Sequence, residues 1–167
     1  MKKEMVYEVF KLKGTMQIDA DWTKPQWQNI WPADVTNYLG TVPGFKPGVQ
    51  EKMMYDDESI YVIFHVIDRY VRCITDKING PVWEDSCVEF FFATDKKNPE
   101  VYFNLETNCG GTPLMHFNKI PRKEIVSLDV EDIKKIKIAH TMPKIVDPEN
   151  ENPVTWTLEY KIPLSML

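Results

Sequence analysis

Residues able to hold a ligand concentrate in Gly80-Pro81-Val82-Trp83-Glu84-Asp85-Ser86-Cys87-Val88-Glu89-Phe90-Phe91-Phe92. A Gly-Pro turn signal precedes a large aromatic, two carboxylates and a hydroxyl, and an unbroken run of strand formers follows, the order of a loop feeding a buried strand. Trp83 falls at the mouth of that strand, where its indole can be presented instead of consumed by the core. Counting by twos from Glu89 reaches Cys87 and Phe91, so its carboxylate is expected on a face of normally buried residues. There it needs a partner, a metal or a polar ligand to offset desolvation. Singly, Trp83 is equally an anchor or a platform, and Glu89 reads as a buried hydrogen-bonded residue. Together, on one strand and its entry loop, they form a candidate site for stacking and in-plane hydrogen bonding.

A second row is Val101 to Asn108, where Tyr102, Asn104, Glu106 and Asn108 alternate with Val101, Phe103, Leu105 and Thr107. The polar row is either a solvated surface or, if this strand pairs with Cys87 to Phe92, an extension of the site beside Glu89. Asp19 and Asp21 precede Trp22 and Trp27. Turn chemistry accounts for the pair, and a calcium site is the alternative, since oxygen ligands at alternate positions suit that ion. Asp56/Asp57 and Asp147/Glu149 also read as turns. His65 reads as a core histidine satisfied by a neighbour.

These residues need strands to position them, and the chain supplies short ones between turn signals. Tyr7 to Leu12 is an edge strand closed by Gly14, and Trp31 to Gly48 is a Pro- and Gly-rich surface excursion with at most a short strand. Met53 to Asp68 is a hairpin turning at Tyr55 to Ser59. Its second arm, Ile60 to Ile67, is apolar on both faces as a central strand would be. Leu114 to Phe117 is a short strand, Ser127 to Lys134 a brief helix or turn with Asp129 near its start, and Ile136 to His140 a strand. Asp147 to Pro153 is an acidic loop, and Val154 to Ile162 a strand with one buried and one wet face. The pattern predicts an all-β antiparallel sandwich, jelly-roll-like or immunoglobulin-like in its two-sheet architecture, as a single domain over 1–167.

Bulk properties narrow the ligand. A chain of 167 residues can bury a core without disulfides or metals. The net charge of −5 and the lack of a Lys/Arg stripe argue against nucleic acid and against an anionic membrane surface. Five tryptophans in an acidic chain favour sugars over bases as the stacked ligand. Cys73, Cys87 and Cys109 have neither metal-binding spacing nor even number, so free thiols are expected. No export signal is visible at the N-terminus.

Ile18-Asp19 with Trp27, Tyr55-Asp56-Asp57 before Ile60-Tyr61-Val62, Asp68-Arg69-Tyr70-Val71, Val82 through Phe91, and Tyr102 to Glu106 through Gly111 together resemble carbohydrate-binding module family 9. The most specific part is the Trp83-Glu84-x-Ser86-x-x-Glu89 core. The resemblance implies a β-sandwich that binds saccharides without cleaving them, accessory to polysaccharide-degrading enzymes, with structural calcium and an extracellular or periplasmic setting. Trp83 matches one of two sandwiching tryptophans and Glu89 the sugar-bonding glutamate. Asn104, Glu106 and Asn108 lie on the strand that supplies further contacts, although the residue types differ. The family pattern continues past the strand at Val154 to Ile162 to a second tryptophan, whereas this sequence stops at Leu167. Trp22, Trp31 or a neighbouring molecule are the candidates for that wall, and an open sheet edge could drive self-association.

Three alternatives stand beside carbohydrate binding. A glycoside hydrolase needs two carboxylates roughly 5 Å or 6.5–9.5 Å apart across a cleft. A b-type haem sandwich needs a Met and a His paired from the eight Met and His65, His116 and His140. A protein-interaction domain would bind no glycan.

Overall fold

The computed structural model describes residues 6–37, 40–41 and 43–167. Along the chain come β1 (Phe10–Lys11), α1 (Pro25–Gln28), β2 (Ala33–Asp34), β3 (Gly48–Tyr55), β4 (Ser59–Asp68) and β5 (Val71–Cys73). A 3-10 turn (Val82–Glu84) leads into β6 (Cys87–Phe92), β7 (Tyr102–Asn108), β8 (Pro113–Ile120) and β9 (Glu124–Ser127). After α2 (Val130–Ile133) come β10 (Lys137–His140), β11 (Val146–Asn150) and β12 (Val154–Pro163).

One sheet has the order β1-β3-β4-β12-β10, with β2 also on β3, and the other the order β6-β7-β8-β9. Pairing is antiparallel throughout except between β1 and β3. The two sheets face each other through a core that includes Val62, Phe64, Val66, Leu158, Tyr160 and Ile162 from the first and Val88, Phe90, Phe103, Leu105 and Met115 from the second. The result is the expected antiparallel β-sandwich.

β4 is central and apolar on both faces because both are covered. Its other face, Tyr61 and Ile63, packs with Leu12, Trp27, Ile30 and Met54 of the N-terminal layer and β3. That layer accounts for several departures from expectation. The edge strand expected over Tyr7 to Leu12 shrinks to Phe10–Lys11, because β2 occupies Gln50 and Glu51 on the same edge of β3. The face of β12 expected to be wet is dry at its centre, where Thr157 and Glu159 are buried beneath the same segment, while Thr155 and Lys161 at its ends reach solvent.

Glu159 is fully buried and richly bonded. Its Oε2 accepts the N–H groups of Asp19 and Ala20, each at 2.9 Å, and its Oε1 accepts the Trp27 indole N–H at 2.9 Å. The Lys24 ammonium lies 2.6 Å from Oε1 and 2.8 Å from Oε2, and also donates to the Gln17 carbonyl at 2.5 Å. This network ties the N-terminal layer to the sheet. β9 was not anticipated, and the expected acidic loop contains β11, which pairs with β5 in an irregular register around Pro148, a residue lacking the N–H a regular ladder needs.

Candidate functional site

The outer face of the four-stranded sheet gathers the polar row. Across β6 and β7, Cys87 lies opposite Asn108, Glu89 opposite Glu106 and Phe91 opposite Asn104; across β7 and β8, His116 lies opposite Asn104. Directly opposed residues hold their Cβ atoms about 5 Å apart. The pairing on which the extension of the site depended is therefore present. Glu89, however, is on the outer face, with Phe91 52% exposed, and not on a buried one. Val88 and Phe90 take the core side, because that is where Phe103 and Leu105 of β7 meet them.

Asn104 and Glu106 sit low on this face, 8% exposed each, shaded by the flanking strands. Asn104 Nδ2 donates to Glu106 Oε1 at 2.6 Å. Asn104 Oδ1 and Glu106 Oε2 are buried and accept no hydrogen bond. Burial, reinforced by the Glu106 carboxylate, raises the pKa of Glu89. Burial and then the charges of Glu89, Glu106 and Asp85 push the Cys87 thiol up to about 12, which keeps it neutral. No Lys or Arg pairs with Glu89 or Glu106 among the described residues. The face thus offers acceptors in excess of donors.

Trp83 stands at the entrance to β6. The 3-10 turn carrying it packs on β6 and β7, and the residue is 55% exposed with its indole N–H unbonded among the described residues. Asp85 fixes the turn. Its carboxylate accepts the N–H groups of Ile74 and Thr75 and Asn108 Nδ2 at 3.0, 2.9 and 2.8 Å. Burial alone would raise the Asp85 pKa, and these bonds outweigh it and hold it below the usual carboxylate range. Asn108 also donates to the Thr75 carbonyl and accepts the Thr112 N–H, and it is fully buried. The structure places it beneath the loop that presents Trp83, with its polar atoms spent there. At the following turn Gly111 has φ +79°, and a Cβ on Gly110 would strike the Lys144 carbonyl and the Cys73 sulfur. Opposite Trp83, the far end of the face carries the tilted ring pair Phe91 and Tyr102, with centroids 5.7 Å apart.

The remaining candidates lie elsewhere. Asp19 Oδ1 accepts the Asp21 N–H at 3.1 Å and the Lys24 ammonium at 2.8 Å, and Asp21 Oδ1 accepts the Thr23 N–H and hydroxyl. Lys24 thus places a positive charge among these oxygens. No group of three or more potential ligating side chains that could hold a metal occurs among the described residues. His65 has no hydrogen-bond partner among the described residues and lies tilted against Trp22 with centroids 5.1 Å apart, so it is not the satisfied core residue expected. His140 Nδ1 bonds the Met142 carbonyl. Trp22 and Trp31 lie on the outside of the other sheet, away from Trp83. His116 was missed as a member of the polar face; the tight turn after Asn108 sets its register against Asn104 and was the available signal.

Comparison with known proteins agrees with this architecture. The family model for carbohydrate-binding family 9 matches residues 20–167, and the chain belongs to that family. Among solved structures, it is similar to a candidate carbohydrate-binding protein from Bacteroides uniformis ATCC 8492, at a TM-score of 0.79 and 26% identity over 95% of this chain and 72% of that one. It also shares its fold with a family 9 module from Caldicellulosiruptor kristjanssonii. The cellotriose complex of that module gives a TM-score of 0.62 at 16% identity over 94% and 67% of the two chains. Its glucose complex gives 0.57 at 17% identity over 94% and 69%. No curated protein sequence matches.

Proposed function

We infer that the protein binds a neutral saccharide on the face bounded by Trp83 and lined by Glu89, Asn104 and Glu106. The observation that carries this reading is the pair of buried, unpartnered acceptors, Asn104 Oδ1 and Glu106 Oε2, beside the Glu89 carboxylate. Unpartnered buried acceptors are costly, and a ligand rich in hydroxyl donors satisfies them. An anion would meet two carboxylates with no cation. The C–H-rich face of a sugar ring stacks on the exposed Trp83 indole while its hydroxyls reach the row. Family membership and the saccharide complexes of the relatives support the same class of ligand.

Binding without cleavage is the reading we favour. Glu89 and Glu106 lie side by side on one face, so a sugar rests upon both instead of between them, and hydrolysis uses carboxylates that flank the scissile bond. The setting we infer is accessory to polysaccharide breakdown. Calcium at Asp19 and Asp21 is not required in this reading. Titrating xylo-, cello- and mannooligosaccharides and glucose, with and without calcium, tests both points. Saturable binding that is lost in Asn104→Leu and Glu106→Leu variants that still fold is expected. Release of reducing ends from any panel member, or affinity unchanged in both variants, contradicts the reading.

A further inference from the structure

The five tryptophans divide by environment. Trp27 and Trp156 are buried, and their indole N–H groups donate to Glu159 and Asp68. Trp83 is exposed and unpartnered at the face described above. Trp31 is more exposed still, at 85%, and among the described residues its indole N–H is also unpartnered, as is that of half-buried Trp22. Trp22 and Trp31 line a single cleft of about 400 Å³ with Gln28, Asn29, Gln50 and Lys52, on the outer side of the six-stranded sheet. Its volume lies within the 300–1,000 Å³ of ordinary small-molecule sites.

We propose that this cleft is a second saccharide site, on the opposite side of the sandwich from Trp83. Its polar groups suit an uncharged polyol. The one charge in the lining is the Lys52 ammonium, which donates to the Trp27 carbonyl at 2.9 Å and lies 4.2 Å from the Trp22 ring centroid. What remains is amide chemistry. Gln28 and Gln50 each spend their Nε2 within the protein, on the Thr23 carbonyl and Asp34, and leave Oε1 to accept. The Asn29 amide and two indole N–H groups complete a set of uncharged donors and acceptors around Lys52. That set matches vicinal hydroxyls.

One wall is held before a ligand arrives: Trp22 packs over Lys52 and the His65 ring on the sheet beneath it, and the Trp31 backbone is tied by its carbonyl, which accepts the Tyr7 hydroxyl at 2.8 Å. A preorganised wall loses little freedom on binding. With sites on opposite sides, one molecule joins two glycan chains, and avidity on a multivalent surface exceeds the affinity of either site.

The test uses the full chain labelled with 5-fluorotryptophan, its five fluorine resonances assigned by single Trp→Phe variants, and titrated with cellotriose, xylotriose and mannotriose. The expected result is saturable shifts of the Trp22 and Trp31 resonances that persist in Trp83→Ala, while Trp31→Ala weakens only that response, at least tenfold. At 85% exposure Trp31 is replaceable without loss of the fold. Movement of Trp83 alone overturns the second site and leaves the first intact. Movement of Trp22 and Trp31 alone supports the second site and sinks the first. A Trp31 resonance that shifts on dilution without sugar assigns the face to self-association and overturns the proposal.

Discussion

Replacing Lys24 with Met tests how the N-terminal layer is held. Lys24 is 7% exposed and Glu159 is fully buried, so the substitution leaves a buried carboxylate without its counter-ion and removes the donor to Asp19 and to the Gln17 carbonyl. Breaking a buried ion pair by deleting one partner costs about 3–5 kcal/mol. Glu159 keeps three N–H donors, from Asp19, Ala20 and Trp27, which places the loss near the lower end, about 3 kcal/mol. For a chain of this size that corresponds to a fall in Tm of roughly 6–12 °C by calorimetry. Adding Glu159→Gln to Lys24→Met removes the orphaned charge, so the double variant loses less than the sum of the singles, by about 1 kcal/mol or more. Strict additivity, or a Lys24→Met protein within about 0.5 kcal/mol of the parent, refutes the argument that this ammonium neutralises the core carboxylate.

Other perturbations separate binding from stability. Glu89→Gln weakens saccharide affinity at least tenfold while leaving neutral-pH stability unchanged or slightly higher. The folded Glu89 pKa is raised, so its ionised form opposes folding above the unfolded value, and the parent gains relative to the variant as pH falls through that window. Paired melts at pH 7 and pH 4 read this directly. Asp85→Ala frees two backbone N–H groups and Asn108 and is expected to lower stability by about 2–3 kcal/mol in urea melts. Because the Asp85 pKa is depressed, its contribution is present at neutral pH and is lost as pH drops below the ordinary Asp range. Gly110→Ala forces a Cβ into the Lys144 carbonyl and the Cys73 sulfur, and a loss of soluble folded protein or a Tm lowered by several degrees is expected.

Strand periodicity exposed much of this fold because local pattern and tertiary burial agree at β4 and β7. Tyr102, Asn104 and Glu106 alternate cleanly, and the structure sets that row against Glu89. The pattern could not say which face of β6 meets the core, since Cys87, Val88, Phe90 and Phe91 are apolar on both; the partner residues Phe103 and Leu105 decide it. Nor does alternation along β12 reveal that residues about 135 positions earlier fold over Glu159, because that burial is made entirely by a segment remote in sequence. Asn108 reads as one more member of the polar row, yet a loop anchored by Asp85 claims its amide. The same remoteness hid the cleft between Trp22 and Trp31, which exists only once β3 and β4 lie beneath the N-terminal layer.

The most direct test of the account is the affinity of Trp83→Ala for the tightest-binding member of the oligosaccharide panel, measured by isothermal titration calorimetry with Trp31→Ala as background to isolate one site. A loss of at least tenfold, with an unchanged melting temperature, is the predicted result. Undiminished affinity in the double variant would contradict the assignment of the Trp83 face as the primary saccharide platform.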